Sequence, residues 1–203
     1  YSINALVPKT MEQKSLEADR VLEFMSQTID DFRNFFMPKK EKEEFFLYKT
    51  VDVVINIISS TLKNYGIKLE IQIDKNIILK TYLNEYQQVL LNIINNAKDV
   101  LIEKKIKKPY IKITAYEEDT YIVLYVEDNG GGVLVEPKSK IFEPYFTTKE
   151  DSNGTGIGLY MSKIIVDKNM RGKLRVRNTK DGAKFAIFVP KNSFIKEINY
   201  EFI

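Results

Sequence analysis

The chain has 203 residues, 44% of them apolar and 29% charged, an ordinary balance for a globular protein with a real core and an extension. A formal net charge of +3 is too small to argue for nucleic acid or an anionic membrane surface as a partner, so no nucleic acid is expected. Cysteine is absent, which excludes disulfides and thiolate metal sites, and no apolar run approaches the ~20 residues that span a bilayer. This composition fits a cytoplasmic domain. The first residue is Tyr1 rather than Met, so the expectation is a piece of a longer protein.

Residues 9–36 carry a regular apolar seam, Ala18, Leu22, Met25, Ile29, Phe32 and Phe36, at the a/d spacing of a coiled coil. Such a stripe needs a helical partner, and self-association is the favoured way to cover it. Pro38 stops that helix, and 39–44 is a polar linker. Phe45-Phe46-Leu47 then reads as a short strand and Val51 to Leu62 as an amphipathic helix closed by Tyr65-Gly66. Leu69, Ile71 and Ile73 alternate as a strand, and Tyr82 to Glu103 is a long helix with Val89, Leu90, Ile93, Ile94 and Ala97 on its core side. Strands follow at 110–115 and 121–126, an irregular segment at 129–155, a helix at 158–167, and two last strands at 173–177 and 184–189. That order predicts an α+β two-layer sandwich, one mixed sheet with helices on one face. The division expected is 1–38 (helix), 39–44 (linker), 45–191 (main domain) and 192–203 (tail). Lys104, Lys105, Lys107 and Lys108 read as a solvated surface run.

Four ordered motifs carry the chemistry. Asn92 and Asn96 lie four apart, so their amides share one helix face bordering the core, and amide oxygens converging there suit a hard cation such as Mg²⁺. A surface amide pair is the bland alternative. Asp128 closes an apolar strand and precedes Gly130, Gly131 and Gly132, where it can accept a hydrogen bond from an exocyclic amine such as adenine's. A plain Asp-Asn-Gly turn would need fewer glycines, and the excess points to close backbone approach to a ligand. The third motif is Phe142-Glu143-Pro144-Tyr145-Phe146-Thr147-Thr148-Lys149. In the fourth, Gly154, Thr155, Gly156, Gly158 and Leu159 open a helix whose free N–H groups suit phosphates. The spacing is neither a P-loop, which needs a lysine with Ser or Thr after the last glycine, nor a dinucleotide fingerprint, which needs a preceding strand.

In order and spacing these motifs resemble the N, G1, F and G2 boxes of the histidine-kinase branch of the gyrase/MutL/kinase ATPase superfamily, over about residues 44–190. The resemblance implies a Bergerat-type ATP-binding fold and an ATP-binding catalytic core of a sensor histidine kinase. Such a core passes the γ-phosphate to a histidine and on to a response-regulator aspartate. It implies Asn96 as principal Mg²⁺ ligand with Asn92 assisting, Asp128 on the adenine amino group with Gly130 and Gly132 beside it, and Gly154, Thr155, Gly156, Gly158 and Leu159 along the phosphates. Residues 133–153 would be a mobile lid tethered by Phe142 and Phe146, with Lys149 the cation for the terminal phosphates. The helix ending Thr28-Ile29-Asp30-Asp31-Phe32 resembles the second helix of the family's dimerisation hairpin, which implies a homodimer.

Two positions depart from the pattern. Many members place a lysine three residues after the second Asn, where this chain has Asp99, so Lys98 becomes a second candidate behind Lys149. Many also place a threonine near the adenine just before the last strand's phenylalanine; here Lys184 precedes Phe185. A hydrolysing clamp of the gyrase or MutL kind is disfavoured, because those ATPases place a glutamate base where this chain has Asn92, and an amide cannot take that proton. A serine kinase acting on a partner and an ATP-binding pseudokinase are the alternatives within the superfamily. Histidine is absent from the chain, and in the family the phosphoacceptor lies on the hairpin's first helix, upstream of Tyr1.

Overall fold

A computed structural model describes residues 41–148 and 155–191, with Lys14, Ser15 and Leu22 as isolated helical residues. The rest of the expected seam helix, the tail 192–203 and residues 149–154 lie outside the described residues.

Strand β1 (Glu43–Phe46) begins inside the stretch read as a linker, and its antiparallel partner is β3 (Ile78–Thr81), with Phe46 opposite Ile78. Leu47 does not extend that strand. It opens helix α1 (Leu47–Asn64), its N–H bonding the Ile77 carbonyl at 3.0 Å. Leu47 is the first member of a buried stripe, Leu47, Val51, Val54, Ile58 and Leu62, whose 4-3-4-4 spacing keeps one helix face in the core. The β1–β3 ribbon went unread because β3 offers only four residues of alternation, too few to separate from a loop.

The main sheet has five strands in the order β2-β4-β5-β7-β6. Strand β2 (Lys68–Gln72) runs parallel to β4 (Tyr110–Glu117). Strands β5 (Tyr121–Asp128), β7 (Ala183–Pro190) and β6 (Lys173–Asn178) follow antiparallel, so the sheet is mixed. Ile111 and Ile113, Ile122, Leu124 and Val126, Phe185 and Ile187, and Leu174 are all buried. Facing them is helix α2 (Leu83–Glu103), whose Val89, Leu90, Ile93, Ile94, Ala97 and Leu101 are buried in the same core. Burying each large apolar side chain contributes about 1.5–3 kcal/mol, so this α2–sheet interface is a large source of stability. The architecture is the expected α+β sandwich, a mixed sheet layered with helices, with a small ribbon added.

Between β5 and α3 (Gly158–Ile164) the chain is irregular except for a 3-10 turn, Lys138–Phe142. The helix expected over 158–167 changes its hydrogen-bond pattern at Ile165 and continues as a π-helical turn, Ile165–Asn169. Asn169 donates its amide to both carboxylate oxygens of the buried Glu85 in α2, each at 3.1 Å, which fixes that turn against the central helix.

Candidate nucleotide site

A cavity of about 720 Å³ opens between α2, the end of β5, the start of β7, the segment 132–148 and the N-terminal residues of α3. The 3.6-residue period of α2 gives it one face toward the sheet and an adjoining one toward this cavity. Asn92, Asn95, Asn96, Asp99, Val100 and Lys104 therefore line one wall from end to end.

At one end of that wall, the Asn92 amide nitrogen donates to the hydroxyl of the buried Ser162, at 2.8 Å. This bond orients the side chain and leaves its oxygen against Gly158, where an added Cβ would come within 2.6 Å of it. Ser162 carried no signal in the sequence; its role depends on α3 packing on α2. One turn along, the Asn96 amide nitrogen is buried without a hydrogen-bond partner among the described residues. A buried polar atom left unpaired by its own protein marks a place where a ligand or water completes the bonding.

At the other end stands Asp128, 3% exposed. Its Oδ1 accepts the N–H of Gly130 at 2.7 Å and that of Ala183 at 3.4 Å, so Oδ2 is the oxygen left for a ligand donor. Burial pushes the Asp128 carboxyl above the usual range, and the two N–H groups and the nearby Lys104 ammonium pull it only part of the way back.

The loop after Asp128 is held from three sides. Lys104 Nζ donates to the Gly130 carbonyl at 2.7 Å, Gly131 N–H reaches the Asp181 carbonyl at 2.9 Å, and Asn178 bonds both the N–H and the carbonyl of Val133 at 2.9 Å. The glycines here answer to the protein's own packing. Gly132 has φ +76° with the Asn178 side chain 2.9 Å from where a Cβ would sit, and a Cβ at Gly130 would lie 2.6 Å from Val100. Close approach to a ligand, the reason read from the sequence, is thus not needed to explain them. Lys104 is exposed, as its reading as solvated surface expected, but it also reaches back over the loop, a contact the sequence did not signal. Asn178 and Asp181, from the segment between the last two strands, fasten the site as well.

Across the cavity, Phe146, Thr147 and Thr148 line the wall. Phe142 packs on the core beneath, with the Lys163 ammonium 5.7 Å from its ring centre. Thr155, Gly156, Gly158 and Leu159 line the same cavity. Gly156, at φ +64°, lies so close to the Tyr145 backbone that a Cβ would be 2.4 Å from its carbonyl carbon. Gly154 and Lys149 lie outside the described residues. Lys98 is not in the cavity wall; it pairs with Asp99 at 3.1 Å and donates to Asn95 at 3.1 Å. Lys184 points away as well, because alternation along β7 turns it to the opposite face of the sheet, over the Tyr125 ring and 3.2 Å from Glu127. Ala183 and Phe185 are the residues of that strand that line the cavity.

The family model described as histidine kinase-, DNA gyrase B- and HSP90-like ATPase matches residues 82–193, more than half of the chain. The chain belongs to this family. Among curated proteins it is similar to the two-component sensor PprA of Pseudomonas aeruginosa, 30% identical over 147 residues, which are 70% of this chain and 16% of PprA. It therefore spans about a sixth of that relative. Among solved structures, the catalytic domain of histidine kinase ThkA is 29% identical with a TM-score of 0.67, covering 75% of this chain and 99% of that domain. Histidine kinase ThkA in complex with the response regulator TrrA shares the fold, at 21% identity and a TM-score of 0.67, over 95% of this chain and 53% of that one. Within this family the chain is an ATP-binding catalytic domain of the histidine kinase kind.

Proposed function

We propose that these residues form the catalytic core of a cytoplasmic sensor histidine kinase that binds ATP with Mg²⁺ and transfers the γ-phosphate to a histidine. From there the phosphate passes to a response-regulator aspartate. The observation that carries this reading is a single cavity with a buried carboxylate at one end and an unpartnered buried amide at the other.

Asp128 would accept the adenine amino group on Oδ2, held in place by the N–H groups of Gly130 and Ala183. The residues present fit Mg²⁺ through amide oxygens: Asn92 spends its nitrogen on Ser162, which leaves its oxygen for a hard cation. Asn96 lines the same wall one turn along, where its unpaired Nδ2 is a donor suited to a phosphate oxygen and its Oδ1 would be the metal ligand. When bound, Mg²⁺ would neutralise charge on the terminal phosphates. The backbone of Gly156 and Gly158, with Thr155 and Leu159, would line those phosphates, and Phe146 would close over them. Lys149 is the proposed cation at the terminal phosphate. Asn92 speaks for transfer over hydrolysis, since its amide donates to a hydroxyl and offers no base for water.

The 203 residues hold no histidine, so the phosphoacceptor is supplied by another segment or chain. Residues 1–38 are proposed as the second helix of a dimerisation hairpin, giving a homodimer through a helical bundle. Calorimetric titration with Mg·ADP tests the reading. Saturable binding is expected, weakened in Asn96→Ala when Mg²⁺ is present and unchanged in that variant when EDTA replaces it. Absence of binding at millimolar nucleotide would overturn it.

A further inference from the structure

We propose that Lys104 is a positioning residue for the base-recognising end of the cavity: its ammonium holds the Gly130 carbonyl and so fixes the carboxylate of Asp128. The inference rests on the nucleotide reading above and adds a residue that none of the four motifs contains.

Lys104 sits at the end of α2, its own N–H still bonded to the Val100 carbonyl at 3.0 Å. Lys104 is exposed like its neighbours Lys105, Lys107 and Lys108, but of the four it alone lines the cavity, its side chain reaching back to the loop after Asp128. There Nζ lies 2.7 Å from the Gly130 carbonyl and 3.3 Å from the place of a Cβ on Gly131, so it covers two successive residues of the loop. The same Gly130 donates its N–H to Asp128 Oδ1 at 2.7 Å. One residue is thus gripped at its carbonyl by Lys104 and at its N–H by the carboxylate that reads the ligand. A charge-assisted bond of this length is among the stronger ones available to a loop.

Charge adds to geometry. Around Asp128, Lys104 is the cation; Glu127 on the same strand, and Asp99 and Glu103 on the α2 wall, are the acids. Without Lys104, the buried carboxyl would hold its proton to a higher pH, and a protonated Asp128 is a poorer acceptor for an exocyclic amine.

The test uses the whole 203-residue chain and measures dissociation constants for AMP and ADP from pH 5 to 9 in wild type, Lys104→Met, Lys104→Arg and Asp128→Asn. Lys104→Met should weaken both nucleotides about tenfold at pH 7, the effect of losing one charge-assisted hydrogen bond. Its acid limb should move to higher pH, and Lys104→Arg should restore most of both effects. An equal loss for AMP and ADP marks a base-end role. A loss that grows from AMP to ADP would make Lys104 a phosphate cation instead and overturn the proposal, as would unchanged binding with an unchanged pH profile. Asp128→Asn separates the two readings: full nucleotide binding in that variant refutes base recognition itself, whereas lost binding there beside normal binding in Lys104→Met refutes only the role of Lys104. Thermal unfolding of each variant verifies that the fold is intact.

Discussion

The two loops that bound the cavity are built on opposite plans. The loop 129–133 is held by hydrogen bonds from outside itself: Lys104 from α2, Asn178 and Asp181 from the β6–β7 turn, and Asn129 bridging the Tyr110 N–H and the Lys108 carbonyl. Among the described residues, the segment 134–148 has backbone bonds within itself, Lys140 to Pro137, Glu143 to Lys140 and Phe146 to Glu143. Side chains attach it to the body: Ile141, 8% exposed, with Phe142 and Phe146 on the core, while Leu134 at 84% and Tyr145 at 71% face solvent. Directional bonds fix one geometry, whereas apolar anchors hold a segment near a surface and let its other residues move. On the proposed reading, the end that would receive the base is preorganised, and the segment 134–148 is the one free to shift over the phosphates.

The comparison breaks most completely at Asp128. Asp128→Asn should remove nucleotide binding, because the amide presents a donor where the base amine needs an acceptor. The same change should not harm the fold, since its amide oxygen can still accept the Gly130 N–H. The sign of the pH effect follows from the raised carboxyl. The folded state keeps this proton to a higher pH than the unfolded chain, so ionising it costs stability as pH rises above the ordinary Asp value and on the alkaline side. Asp128→Asn should therefore unfold at a temperature equal to or above wild type at about pH 8, with the gap shrinking toward about pH 3, below the ordinary Asp pKa of about 3.9. Melting curves at both pH values decide it; a variant less stable at the higher pH would contradict the raised carboxyl.

A smaller effect belongs to Asn178→Ala. It releases Val133 from the β6–β7 turn, but the freed groups are exposed and water can replace the amide. We expect about 1 kcal/mol of lost stability and a three- to tenfold weaker ADP affinity. If affinity were untouched, the loop's rigidity would not depend on the turn, and the contrast between the two loops would lose its basis.

Much of this was legible in the sequence for a physical reason. Asp128 and the glycines keep fixed chemistry and spacing, and α2 has a long apolar period, so α2, β4, β5, β6 and β7 were all found. Asn92, Asn96, Asp128, Gly130, Gly132, Phe146, Thr155, Gly156, Gly158 and Leu159 do line one cavity or its flank. What stayed hidden depends on tertiary approach. Ser162 matters because α3 packs on α2, Lys104 because the helix end aims it at a loop 26 residues away, and Asn178 because a turn lands beside that loop. Lys184, standing where many relatives carry a threonine near the adenine, faces away from the cavity: along a strand, one residue exchanges the cavity face for the open face. Ala183 carried too little chemistry to be singled out. The β3 strand was too short to show its period.

The smallest effect sharpens the other side of the comparison. Lys163 on α3 lies over the Phe142 ring at 5.7 Å, pairs with Asp167 at 2.6 Å and donates to the Leu174 carbonyl at 3.2 Å, while Asp167 accepts the Leu174 N–H at 3.2 Å. The ammonium thus ties the base of the 134–148 segment to α3 and β6. Its side chain is 27% exposed, so the ion pair contributes at most about 1 kcal/mol, and the ring contact about 0.5–1 kcal/mol. Lys163→Met keeps a long apolar stem on the ring and removes only the cation. Amide hydrogen exchange across 138–146 should then quicken in the nucleotide-free protein, by up to about fivefold for a 1 kcal/mol change. Exchange across 129–133 should hold constant, because that loop shares no partner with Lys163. ADP affinity should fall less than threefold, well short of the loss at Asn178. Faster exchange in both loops would mean that they open together, and unchanged exchange in both would show that Ile141 and the two phenylalanines anchor the segment without help from the lysine.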